Sequence, residues 1–186
     1  GQPGVGTAVS AFSVGSGGNT GGVRSLSGNN VWQGNVVLTA SGLVGVDSGS
    51  LVIGNTSSNA GIISGAGALV KVGAGTLELN GNAANTYAGG TVVADGVLAL
   101  NKAAGLEVNS TNRGGGAIGT GSLTVGDFVG AANADQVVML QTEQVADAIT
   151  VTVNSTGKLD LSTSASSAVQ VVTIPTTSTT GAVFRL

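Results

Sequence analysis

Residues 73–101 read GAGTLELNGNAANTYAGGTVVADGVLALN. Within them Gly75-Thr76-Leu77-Glu78-Leu79-Asn80 returns as Gly96-Val97-Leu98-Ala99-Leu100-Asn101. Each copy is a glycine followed by an alternating segment with leucine at the second and fourth places. Alternation with a period of two sets both leucines of a copy on one face of a strand. The glycine in front permits a bend that a side chain obstructs. A short unit of turn, inward leucine, outward residue and inward leucine, repeated at once, marks a stacked repeat.

The unit recurs outside this stretch. Gly49-Ser50-Leu51-Val52-Ile53 is an earlier copy, and residues 65–72 (GAGALVKV) are another. Gly121-Ser122-Leu123-Thr124-Val125 and Gly157-Lys158-Leu159-Asp160-Leu161 follow. The repeat core expected from the pattern is Leu51, Ile53, Leu77, Leu79, Leu98, Leu100, Leu123, Val125, Leu159 and Leu161. The anchor glycines Gly49, Gly67, Gly75, Gly96, Gly121 and Gly157 lie 18, 8, 21, 25 and 36 residues apart. Three of these intervals fall near twenty, 36 reads as two turns of 18, and the 8 indicates that two strands of one turn can share the pattern.

One coil of two or three short strands cannot bury its own leucines, whereas a stack of coils can. The predicted fold is therefore all-β, a right-handed parallel β-helix with irregular coils of about twenty residues. About nine coils at the ~4.8 Å strand spacing give a rod roughly 40 Å long. The rival is a β-sandwich of short antiparallel strands, which also alternates. Equal strands joined by two-residue Asn-Gly or Asp-Gly hairpins favour that rival. Here Asn80-Gly81 and Asp95-Gly96 occur, but the second lies inside the repeated unit. Residues 1–186 are read as a single domain. Residues 1–29 form an N-terminal edge, cap or strand, with 9–14 alternating and 15–22 a glycine-rich loop. Residues 102–116 are an excursion loop, and residues 169–174 and 182–186 are closing strands.

Composition removes several function classes. The chain has 186 residues with 33 Gly, 2 Pro, no Cys and no His. Only 8% of residues are charged, against ~25% in ordinary soluble proteins. The net charge of -3 comes without a basic cluster, so nucleic acid is not an expected partner. No apolar run approaches the ~20 residues of a membrane-spanning helix. Without His or Cys there is no Ser-His-Asp or Cys-His nucleophile and no common zinc site. No cofactor and no metal are expected. Gly114-Gly115-Gly116-Ala117-Ile118-Gly119 has the Gly-x-Gly-x-x-Gly spacing, but no amphipathic helix follows to receive a phosphate. Asp95 and Asp127 lie beside turn glycines, where aspartate bonds its own backbone.

Glycoside cleavage needs two carboxylates in a groove. Glu78 and Asp160 each lie between two inward leucines and so face outward. Lys71 and Lys158 are available to them as ordinary surface ion-pair partners. Tyr87 reads as a turn-packing side chain, and Trp32 as a core or end-cap side chain. Asn55, Asn109 and Asn154 begin Asn-x-Ser/Thr sequons, as expected by chance in a chain of this composition. The threonines of residues 176–180 form one run without a ladder on successive coils.

Residues 73–101 resemble the autotransporter-associated β-strand repeat, also called the passenger-associated transport repeat. The match is carried by Gly73-Ala74-Gly75-Thr76-Leu77-Glu78-Leu79, by Ala84-Asn85-Thr86-Tyr87-Ala88-Gly89-Gly90-Thr91-Val92-Val93, and by Asp95-Gly96-Val97-Leu98-Ala99-Leu100. A looser likeness extends through Ala117-Ile118-Gly119-Thr120-Gly121-Ser122-Leu123-Thr124-Val125, and Trp32-Gln33-Gly34-Asn35 is similar to a strand start of related passengers. The resemblance implies a parallel β-helix on the surface of a bacterium or secreted from it, often as part of a longer passenger, with no shared catalytic residues. The expected function is a non-enzymatic structural or adhesive segment, located extracellularly or at the cell surface. The expected partners are neighbouring coils of a longer chain, a host-surface or matrix glycan, or the protein itself. In the last case end-to-end stacking builds a fibre, sheath or biofilm matrix. A polysaccharide-processing enzyme is the third reading.

Overall fold

Alternating apolar residues set the strands, and glycines and short polar runs set the corners between them. The structure is a computed structural model that describes residues 22–55, 60–103, 116–141, 144–146, 148–161 and 172–173. The expectations for residues 1–21, for most of the 102–116 loop, for residues 176–180 and for the last strand at 182–186 lie outside these residues. So do parts of the sequons at Asn55 and Asn109.

Fifteen strands occur among the described residues, and no helix. They are β1 Val23–Ser25, β2 Asn29–Trp32, β3 Val36–Val37, β4 Gly42–Val46, β5 Ser50–Ile53 and β6 Ile63–Ser64. Next come β7 Leu69–Val72, β8 Thr76–Gly81, β9 Thr91–Val93, β10 Gly96–Lys102 and β11 Leu123–Val125. The last are β12 Asp135–Met139, β13 Val151–Val153, β14 Gly157–Asp160 and β15 Val172–Thr173.

Consecutive strands do not pair with each other. The first sheet has the order β1-β4-β7-β9-β11-β13-β15, the second β2-β5-β8-β10-β12-β14, and the third pairs β3 with β6. Every strand pairing is parallel. The antiparallel sandwich is thereby excluded over these residues. The third face continues beyond β6 by single backbone bonds. The Thr86 amide donates to the Ile63 carbonyl at 2.8 Å, and the Thr120 amide donates to the Tyr87 carbonyl at 2.9 Å. This is a β-solenoid whose ladder of hydrogen bonds runs along its axis.

Side chains of equal parity stack into columns. In the second sheet Leu51, Leu77, Leu98, Val137 and Leu159 lie in register, and beside them Ile53, Leu79, Leu100 and Met139. In the first sheet Val44, Lys71, Val93, Val125 and Val153 form one column. Leu77, Leu79, Leu98 and Leu100 are wholly buried in one continuous cluster. Each leucine meets a partner from the coil above and one from the coil below, the contact that no coil makes alone.

The register along the first sheet advances by unequal steps. Val23 to Val44 is 21 residues, Gly42 to Leu69 is 27, Leu69 to Thr91 is 22, Thr91 to Leu123 is 32, Leu123 to Val151 is 28 and Val151 to Val172 is 21. The longer steps hold additional residues between the strands. At one of them a Cβ on Gly61 falls 2.2 Å from Gly54, so the chain re-enters where it left.

The anchor glycines form two series, and the interval of 8 between Gly67 and Gly75 is the step between two strands of one turn. Gly67, Gly89 and Gly121 stack at the corner before the first sheet. Gly49, Gly75 and Gly96 stack at the corner before the second sheet, where Asp135 and then Gly157 continue the column. The interval of 36 from Gly121 to Gly157 is one turn plus a change of corner and not two turns. Gly96 shows why the column is glycine: its φ is +71°, and a Cβ there lies 2.4 Å from the Gly73 carbonyl oxygen.

Candidate functional site

The acids of the outward faces stand apart. Glu78, Ala99, Val138 and Asp160 occupy one outward column. Three strand spacings separate the two acids, roughly 14 Å. Retaining glycosidases need about 5 Å and inverting ones about 6.5–9.5 Å. Glu78 instead accepts hydrogen bonds from the side-chain amides of Asn80 and Asn101, each at 2.7 Å, and Gln141 donates to Asn101 at 3.4 Å. Lys158 pairs with Asp160 at 2.7 Å, an ordinary surface ion pair. Arg24 forms a two-pronged pair with Asp47, which holds that carboxyl below its usual range.

The first coil ends the described stack. Trp32 lies in register with Ile53 at the end of its column and is 36% exposed. Asn30 lies in register with Leu51, and its side-chain amide donates to the Ser25 hydroxyl and the Ser27 carbonyl. Val31 and Leu26 are exposed beside them.

Among the described residues three charged side chains are buried, and the sequence reading missed all three. Lys71 was assigned to a surface ion pair, yet it is fully buried. It shares parity with Leu69, so the period of two already sent it inward. Its ammonium donates to the carbonyls of Val72 at 3.1 Å, Gly73 at 2.5 Å and Asp95 at 2.9 Å. Burial lowers its pKa to about 8, opposed first by the charge of Asp95 and then by that of Asp135. Lys102 is 1% exposed, and its ammonium donates to the Gly61 carbonyl at 3.2 Å. Burial lowers it to about 8 as well. Asp135 is wholly buried, and neither carboxylate oxygen has a hydrogen-bond partner.

The third face explains the Asn-Thr-Tyr motif. The side-chain oxygen of Asn85 accepts from the Ile63 amide at 2.8 Å, and its amide group donates to the Ala117 carbonyl at 2.7 Å. One side chain thus bridges the coil before it and the coil after it. Tyr87 is wholly buried and shares a 2.5 Å hydrogen bond with the Thr91 hydroxyl. Burial pushes its phenol up to about 12, and a wholly buried ring offers no sugar-stacking face. A Cβ on Gly119 would lie 2.0 Å from the Tyr87 carbonyl oxygen and 2.9 Å from its ring, so this glycine lets one coil close onto the Tyr87 corner of the coil before it. Residues 69–100 match the Passenger-associated-transport-repeat family.

No match was found among curated proteins or among solved structures. The passenger-associated transport repeat begins at the first residue of β7 and runs into β10, about a sixth of the chain. It therefore holds one full turn, the Asn85–Tyr87 corner and two members of each leucine column. Of the core positions read from the sequence, Leu77, Leu79, Leu98 and Leu100 lie inside it. Leu51, Ile53, Leu123, Val125 and Leu159 are buried outside it, and Leu161 is partly buried against the same cluster. No group of three His, Cys, Asp or Glu able to hold a metal occurs among the described residues, and no helix is long and apolar enough to cross a membrane.

Proposed function

We propose that this chain is a structural, non-enzymatic segment of a bacterial surface or secreted passenger, a spacer whose polar outer faces carry weak adhesive contacts. The observation that supports it best is the unbroken parallel ladder with its in-register aliphatic columns, centred on the passenger-associated transport repeat. In this reading the coil is right-handed, the hand of nearly all parallel crossovers. Its basic turn is about twenty residues, lengthened by loops where the register step exceeds 22. A left-handed crossover in an experimental density map contradicts the hand.

A spacer has no turnover. Incubation with a panel of neutral and acidic glycans should release no product, and immobilised glycans or host-matrix proteins should be retained weakly. Turnover lost in Glu78→Gln or Asp160→Asn contradicts the proposal.

A second reading, end-to-end assembly, is favoured by Trp32, Val31 and Leu26. These apolar side chains are exposed on the first coil, whose strands pair on one side only among the described residues. Unpaired edges recruit further strands. Light scattering across a hundredfold concentration range tests it. Growth abolished by Trp32→Glu supports assembly, and a constant monomer mass removes it.

A further inference from the structure

Asp135 stands where the second-sheet corner otherwise carries glycine. It is in register with Gly96 on one side and Gly157 on the other. It has the inward parity of Val137 and Met139, both buried. A carboxylate has been placed in a column built for no side chain, without a hydrogen-bond partner for either oxygen. Buried acceptors of this kind are rare and call for a physical reason.

Its surroundings supply one. The chain leaves the coil after β11 and returns at β12, so residues 126–134 form an excursion that ends at Asp135. The excursion exposes Phe128 and Val129 at 66% and 71%. Phe128 has a φ of +69° and Asn133 of +64°, conformations that non-glycine residues adopt only under constraint. The excursion is held at a few points. The Phe128 amide donates to the Thr156 hydroxyl at 3.2 Å, the Val129 amide to the Asp127 carboxylate at 2.8 Å, and the Gln136 side chain to the Asn133 carbonyl at 3.0 Å. The Asp135 amide donates to the Thr156 carbonyl at 3.2 Å, so carboxyl, hydroxyl and excursion meet at one residue.

The charges facing Asp135 are mostly of its own sign. Asp127 on the excursion and Asp95 on the preceding corner oppose its ionisation, and burial opposes it more. The Thr156 hydroxyl and the Asp127 backbone stand near enough to offset part of this, but outside bonding geometry. The nearby cation, Lys71, is already held by three carbonyls.

We propose that Asp135 is a proton-operated latch: protonated, it keeps the 126–134 excursion seated on the solenoid at Thr156, and ionised, it loosens it. The neutral carboxyl sheds the charge that burial and the two neighbouring aspartates disfavour, and so sits at lower cost under the excursion. The carboxylate needs water, and water reaches it by lifting the excursion away from Thr156. The sign follows from the direction of the shift. Burial raises this carboxyl above the ordinary 3.8, so the folded chain binds the proton more tightly than the unfolded chain. The seated form is then fully favoured below about that value and loses ground as pH rises through the folded one. Acidification seats the excursion, and a neutral medium frees it.

Hydrogen exchange of the Phe128 amide reads the latch directly, corrected for the intrinsic pH dependence of exchange. In the full chain its protection should fall about fivefold or more between pH 4 and pH 7. In Asp135→Asn it should stay high at both. Equal protection of the wild-type amide at the two pH values overturns the proposal, as does a wild-type fall that persists in Asp135→Asn. Millimolar calcium restoring protection at pH 7 in the wild type also overturns it, in favour of a cation site. If Asp135→Asn does not fold, Thr156→Val gives the second reading. Its Phe128 amide should be poorly protected and insensitive to pH, and a wild-type response there counts against the latch.

Discussion

At the residue scale the polar side chains inside the solenoid divide into those whose partners are complete and those whose partners are not. Asn85 is complete: it satisfies an amide and a carbonyl of two different coils at once. Asn85→Ala leaves the Ile63 amide and the Ala117 carbonyl buried without partners, and should lower unfolding free energy by about 2–3 kcal/mol in urea titrations. Lys102 is less fully served: among the described residues its ammonium has one carbonyl, and burial disfavours its charge. Lys102→Met keeps the volume and removes the charge, and should raise stability at pH 7 by about 2 kcal/mol. The pH dependence carries the sign. Lys102 is depressed in the fold to about 8 from the ordinary 10.5. The wild-type protein therefore recovers stability as pH rises from 8 to 10.5, and the advantage of the methionine variant shrinks over that range. An advantage that is constant with pH contradicts this assignment.

At the scale of the element, β8 and β10 show what alternation decides. Leu98 is wholly buried between Leu77 and Val137, while Val97 next to it faces outward. Leu98→Ala should cost about 3 kcal/mol, and Val97→Ala under about 1 kcal/mol, by chemical denaturation. Equal costs contradict the stated parity. That parity was legible in the sequence because Gly-x-Leu-x-Leu is a local signal, and so was the parallel stack that the leucines require. The corner assignment was legible only in part. Gly67 and Gly75, 8 residues apart, read as two strands of one turn, but Gly121 and Gly157, 36 apart, read as two turns, and only the register shows one turn plus a change of corner. Lys71 was misread because its charge was given more weight than its place two residues after Leu69. Asp135 was invisible because β12 lacks the leading glycine, so no local pattern announced that the column continues through it. Asn85 and Tyr87 were visible as a motif, but their partners lie 22 and 32 residues away or across the corner, which no local pattern shows.

At the scale of the molecule, seven levels of strands in the first sheet span six spacings, roughly 29 Å along the axis. Nearly every stabilising contact is between neighbouring coils, so the load is carried by the ladder and by the columns behind it. The chain has no cysteine, which makes introduced pairs unambiguous reporters of register. In the parallel stack Thr76 faces Val97 and Glu78 faces Ala99, a constant offset of 21. Paired strands place such residues ~5 Å apart, within disulfide reach. The most direct measurement is oxidative cross-linking of four double-cysteine variants, at positions 76/97, 78/99, 76/99 and 78/97. Stacked parallel coils predict efficient bonds in the first two and little in the last two, whereas bonds at 76/99 and 78/97 instead show antiparallel pairing and contradict the shared interior.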